Sequence, residues 1–215
     1  MRSKVKICCI LSGEEARMAL ESGASALGFV SAMPSGPGVL PEAEIASIIA
    51  SLPDTCDSFL LTSKTKLGEI VDQVARCRPR TLQLCDSLEL NDYRTLRQEL
   101  PDLKLVPVIH VQDRSALDLA LVLAEFADAI LLDSGRPQDA QRSLGGTGQT
   151  HDWSISRDIR ETLDLPVYLA GGLNPENVAV ALEIVRPFAV DVCSGVRSEG
   201  RLDEEKLTAF MKGIA

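Results

Sequence analysis

Strand-like and helix-like segments alternate from one end of this chain to the other, and no other feature narrows its possible folds as much. Lys4–Ile10 is apolar and suited to a strand, and Ser12 with Glu15 three residues on forms a capping box that opens a helix toward Ser22-Gly23. The pattern then repeats. Strands are expected at Ala26–Val30, Ser58–Leu61, Thr81–Leu84, Leu103–Val111, Ala129–Leu132, Pro166–Ala170 and Phe188–Val192. Helices are expected at Pro41–Ser51, Leu67–Cys77, Leu88–Leu100, Arg114–Phe126, Ser154–Leu163, from Asn174-Pro175 onward, and at Asp203–Lys212. Asn174 is read as the N-cap of its helix, with Pro175 at the first helical position.

Strands separated by helices must run parallel, and parallel strands covered by helices read as short apolar runs. Eight such units in 215 residues predict a single (β/α)8 barrel, a TIM barrel, occupying residues 1–215 as one domain. A doubly wound open sheet is the competing α/β arrangement, but no GxGxxG follows the first strand.

In a barrel the chemistry gathers where the strands end at their C-terminal side. That rule nominates Cys8, Cys85, His110, Asp133 and Cys193, and assigns Cys56 and Cys77 to packing. It also draws attention to Gly171-Gly172 and Ser194-Gly195, two successive glycine loops whose backbone N–H groups could cradle one phosphate. Cys8, Cys85, Cys193 and His110 raise the further option of a thiolate metal site, although no metal is expected from their spacing.

Composition limits the partners. A net charge of −9 argues against a nucleic-acid or anionic-membrane surface. No apolar run approaches the roughly 18 residues of a membrane span. The opening MRSKVKICCIL runs straight into a strand with no small-residue cleavage site, so a cytoplasmic protein with reduced cysteines is expected. A small anionic substrate remains possible, since a local N–H cup works inside an acidic protein.

Six stretches taken together resemble the phosphoribosylanthranilate isomerase family: VKIC at 5–8, ESGASALGFV at 21–30, ILLDS at 130–134, GGTGQTHDW at 145–153, AGGLNPENV at 170–178 and RPFAVDVCSGV at 186–196. The resemblance implies a cofactor-independent Amadori rearrangement of a small phosphorylated sugar in tryptophan biosynthesis, from an aminoaldose to an aminoketose. It implies Cys8 as general base and Asp133 as general acid. The implied phosphate site comprises Gly146, Thr147 and Gly148, then Gly171, Gly172 and Asn174, then Ser194, Gly195 and Val196.

Several positions depart from the family pattern, all around the expected mouth. Cys9 stands where glycine is expected, and Cys85-Asp86 replaces His-Gly. The loop Met33–Gly38 lacks the arginine that grips the anthranilate carboxylate, and Pro107 replaces a frequent basic residue. Arg197 replaces an acid; with Arg136 and Arg142 it is a candidate partner for a substrate carboxylate. Cys9, Cys85, His110, Asp191 and Arg197 are therefore taken as candidate pocket residues. Two alternatives remain open at this point: a paralogue acting on another phosphosugar, and a non-catalytic barrel that binds a phosphorylated metabolite.

Overall fold

Alternation with a period of two within each strand decides which residues face the barrel axis and which face the helices. The structure is a computed structural model, and it describes residues 3–34, 37–135 and 150–214. Its strands are β1 (Lys4–Ile7), β2 (Ala26–Val30), β3 (Asp57–Thr62), β4 (Thr81–Leu84), β5 (Lys104–His110), β6 (Ile130–Asp133), β7 (Val167–Leu169) and β8 (Ala189–Val192). They close in sequence order into one parallel barrel, with β8 paired back to β1. Helices α1 (Gly13–Glu21), α2 (Glu42–Ser51), α3 (Leu67–Cys77), α4 (Leu90–Glu99), α5 (Ser115–Ala124), α6 (Trp153–Thr162), α7 (Val178–Val185) and α8 (Glu204–Lys212) follow the strands one by one. The expected barrel is the observed one.

Two apolar cores result from the alternation. Val5, Ile7, Leu27, Phe29, Leu60, Leu82, Leu84, Ile130, Leu132, Val190 and Val192 point outward and pack under the helices. Ala26, Val30, Phe59, Leu61, Val106, Leu131 and Tyr168 belong to the separate inner core, which the cysteines at positions 8, 9 and 85 join. Between these inner apolar residues stand three polar ones, Lys6, Gln83 and Asp191, at 0, 4 and 7% exposure. Their positions follow from parity alone, since each is flanked on both sides by outward-facing aliphatic residues. Cys56 and Cys77 are buried as packing residues, and burial pushes both thiols up to about 11.

The structure departs from the sequence reading in three places. The first strand stops at Ile7 rather than Ile10, because Cys9 adopts a left-handed backbone with φ of 63° and bends the chain out of the sheet. Helix α7 starts at Val178, not at Pro175: Asn174 does accept N–H bonds from Glu176 and Asn177, both at 3.0 Å, but these close a separate turn before the helix. A hairpin that the sequence reading missed joins β9 (Arg197–Ser198) to β10 (Arg201–Leu202). Its turn residues Glu199 and Gly200 have φ of 52° and 80°, the two positive values of a type I′ turn.

Candidate active site

The C-terminal mouth of the barrel holds a cavity into which strands and loops from most of the circumference contribute. Cys8 and Cys9 follow β1, Gln83 and Cys85 lie on and after β4, Asp133 ends β6, and Asp191 to Ser194 run out of β8. Val30, Met33, Pro37, Leu61 and Leu131 provide its apolar lining, and Gly171 and Gly172 provide the rim after β7. Cys8, Asp133, Gly171, Gly172 and Ser194, singled out in sequence, thus share one cavity.

Asp133 sits there almost without solvent, at 7% exposure. Burial raises its carboxyl to about 6, an effect that the Ser134 N–H at 2.8 Å moderates and the neighbouring Asp191 reinforces. Such a group still holds its proton close to neutral pH, which a proton donor requires. Asp191 is buried beside it. Its Oδ2 accepts from Lys6 Nζ at 2.8 Å, while Oδ1 has no hydrogen-bond partner. Burial opposes the Lys6 charge, but Asp191 and the nearby thiols outweigh that cost and hold the ammonium well above its ordinary value. Gln83 Oε1 is the other unpartnered acceptor among the cavity's lining residues, with Nε2 directed to Cys85 Sγ at 3.6 Å. Lys6 and Gln83 were missed in the sequence reading, although their polar side chains two residues before Cys8 and Cys85 mark them as inward-facing.

The glycine loops meet each other. Gly171 has φ of 84°, and a Cβ there would lie 2.7 Å from the Ser134 backbone nitrogen. Gly195 is more tightly enclosed, because its Cβ would fall 2.0 Å from the Leu173 carbonyl oxygen. The β7 and β8 loops therefore touch only because this residue is glycine. Ser194 to Val196 form one 3-10 turn, whose leading N–H groups have no acceptor within the turn. Gly195→Ala is expected to separate the two loops, costing about 1–3 kcal/mol in urea unfolding. An unchanged unfolding midpoint would contradict this packing.

Other expected pocket residues lie elsewhere. Arg197 does not reach the cavity. It turns beneath β1, where its guanidinium donates to Glu15 at 3.1 and 3.2 Å, to the carbonyls of Cys8 and Gly200, and to the carbonyl of Cys9. Of the expected capping box the Ser12 half forms, its Oγ accepting from the Glu15 N–H at 3.1 Å, while the Glu15 carboxylate completes this buried junction by accepting from the N–H groups of Leu11 and Leu202. Val196 is fully buried in the outer core, and Asn174 is occupied by its own turn; with Gly195, they support the rim without lining the cavity. His110, at the end of β5, has Nε2 3.3 Å from the Cys85 carbonyl and is also outside the lining. Gly146, Thr147 and Gly148, together with Arg136 and Arg142, lie outside the described residues. Among the described residues, no group of three His, Cys, Asp or Glu side chains is placed to hold a metal ion. None of their helices is long and apolar enough to cross a membrane.

A closed parallel barrel with a proton-holding carboxyl, a thiol and a glycine rim at its C-terminal mouth defines a (β/α)8-barrel protein with an enzyme's site architecture. Residues 5–213 match the model of the N-(5'-phosphoribosyl)anthranilate isomerase family. A curated N-(5'-phosphoribosyl)anthranilate isomerase from Methanocella arvoryzae is 38% identical, covering 95% of this chain and 94% of the relative. One from Methanosarcina mazei is 34% identical, covering 100% and 95%. Among solved structures, a phosphoribosyl anthranilate isomerase from Thermotoga maritima superposes with a TM-score of 0.85 at 31% identity, covering 99% of this chain and 98% of that one. Another phosphoribosyl anthranilate isomerase, with a TM-score of 0.82 and 29% identity over 99% and 98% of the two chains, was solved in complex with reduced 1-(O-carboxyphenylamino)-1-deoxyribulose 5-phosphate. The chain belongs to the phosphoribosylanthranilate isomerase family, the isomerases of tryptophan biosynthesis. The paralogue and the non-catalytic barrel are not favoured.

Proposed function

We propose that Cys8 and Asp133 are the base and acid with which this chain isomerises phosphoribosylanthranilate, working as a single cytoplasmic domain over residues 1–215. The observation that carries the assignment is the shared cavity, where a thiol from β1 and a carboxyl from β6 face the same space. Asp133, protonated up to about pH 6, gives its proton to the sugar ring oxygen as the ring opens to an imine. Cys8 removes the proton from the carbon beside that imine to give an enaminol, whose hydroxyl proton then passes to Asp133 while Cys8 returns its proton to the carbon next to nitrogen, leaving the aminoketose. No redox equivalent is gained or lost in this sequence.

The phosphate is assigned to the rim of Gly171, Gly172 and Ser194, with the N–H groups of the turn after β8 as donors. Gly146, Thr147 and Gly148 complete that assignment from the sixth loop. The apolar side formed by Val30, Met33, Pro37 and Leu61 suits the aromatic ring. Arg197 is not assigned to the carboxylate, because all its described contacts tie it to the protein's own acceptors.

Cys8→Ala tests the base. Its kcat/KM for phosphoribosylanthranilate should fall by about 10²–10⁴, the usual worth of a positioned base, with circular dichroism unchanged. Conversion at the wild-type rate by the alanine variant would overturn the assignment.

A further inference from the structure

Two cysteines at the cavity edge have no part in this mechanism. Cys9 follows β1 and Cys193 follows β8, two strands held together at this end by the Cys8 N–H bond to the Val192 carbonyl at 2.8 Å. Both cysteines line the cavity, and their free sulfurs lie 2.6 Å apart. The geometry points to a disulfide-forming site at Cys9 and Cys193, on the edge of the substrate mouth, which a peroxide closes and a dithiol reopens.

Three features hold the pair in place. Cys9 is fixed in its left-handed conformation, and Gly38 presses against it so closely that a Cβ there would lie 2.6 Å from Cys9 Cβ. Arg197 donates to the Cys9 carbonyl, tying its backbone from below. Cys8 is the pair's neighbour, its side chain hydrogen-bonded to that of Cys9, so any test must tell the two cysteines apart.

The environment also distinguishes the two sulfurs. The hydrogen bond with Cys9 and the Arg197 guanidinium lower the Cys193 thiol, whereas the same contact, a hydrogen bond with Cys8 and burial raise that of Cys9. Cys193 is also the more exposed. It is therefore the attacking thiolate and Cys9 the resolving thiol. Cys193 Sγ attacks one peroxide oxygen, the O–O bond breaks, water leaves and a sulfenic acid forms. Cys9 Sγ then attacks that sulfur, the S–O bond breaks and a second water leaves. Two thiols are oxidised, one peroxide is reduced, and both thiol protons end in water.

The test uses the full chain, reduced, freed of reductant and treated with equimolar hydrogen peroxide. Intact mass under non-reducing conditions should fall by two hydrogens and recover with dithiothreitol. Fragmentation of the cross-linked peptides should place the bond at Cys9 rather than Cys8. The cross-link should persist in Cys8→Ala and disappear in Cys193→Ser. Should either variant fail to fold, the wild-type fragment map decides alone. A bond to Cys8, oxidation of Cys193 to sulfinic acid without a cross-link, or an unchanged mass would overturn the proposal.

Discussion

Asp133→Asn is expected to lose nearly all isomerase activity and yet to be more stable than the wild type above pH 7. The two effects share one cause. The folded protein raises this carboxyl from 3.8 to about 6, so the native state binds its proton more tightly than the unfolded chain does. The stabilisation is fully present below about pH 4, and it disappears as pH rises through about 6. Above that range the native state carries a buried, poorly solvated anion. Two pKa units correspond to about 3 kcal/mol, which sets the upper size of the effect. Asparagine keeps the shape and never ionises.

Urea unfolding of both proteins at pH 4 and pH 8 should therefore show a gap that opens only at the higher pH. A gap independent of pH would refute the shift. In activity, loss of the proposed proton donor should cost about 10²–10⁴ in kcat/KM, and the wild-type profile should decline on the alkaline side of about pH 6. Sign matters here, because an acid that must be protonated fails as pH rises.

Lys6→Met should destabilise the protein by about 3–5 kcal/mol, the usual result of removing one member of a buried ion pair. Lys6 has no exposed surface, lies 2.8 Å from Asp191 and stands 5.1 Å over the Phe59 ring. Without its ammonium, Asp191 must be buried unpaired or take up a proton. Adding Asp191→Asn to the same chain should restore part of the loss, since the stranded charge then disappears. A double variant no more stable than Lys6→Met would show that Lys6 contributes by packing alone. The cycle can be measured by chemical denaturation without any assay of turnover.

The barrel was legible because its evidence is local. Outward runs such as Val5 and Ile7, or Leu82 and Leu84, repeat at the strand period beside helices with their own period. That Cys8 and Asp133 lie at the mouth was legible from the rule that strand ends carry chemistry; the roles proposed for them rest on a resemblance to a family. The charged partners of Lys6 and Arg197, Asp191 and Glu15, were not legible, because each lies more than 180 residues away in the chain. Arg197 is the clearest case. Its place after Ser-Gly-Val suggests the mouth, but the type I′ turn at Glu199-Gly200 directs it back to Glu15. Cys9 was noticed as a replacement for glycine, and its φ of 63° shows why glycine suits that position: any side chain there costs about 1–2 kcal/mol.

The pairing of β8 with β1 has a consequence for how this molecule is made. Lys6 with Asp191, Glu15 with Arg197, and Cys9 with Cys193 all cross that single seam. During synthesis the first strand leaves the ribosome long before its closing neighbour exists. Until then an ammonium, a carboxylate and a thiol from the leading segment lack the partners they later meet across the seam, and closing so long a loop is slow. The last strand is thus a latch. A chain cut short before β8 would lack all three bonds at once, and proteases could distinguish it from a finished barrel.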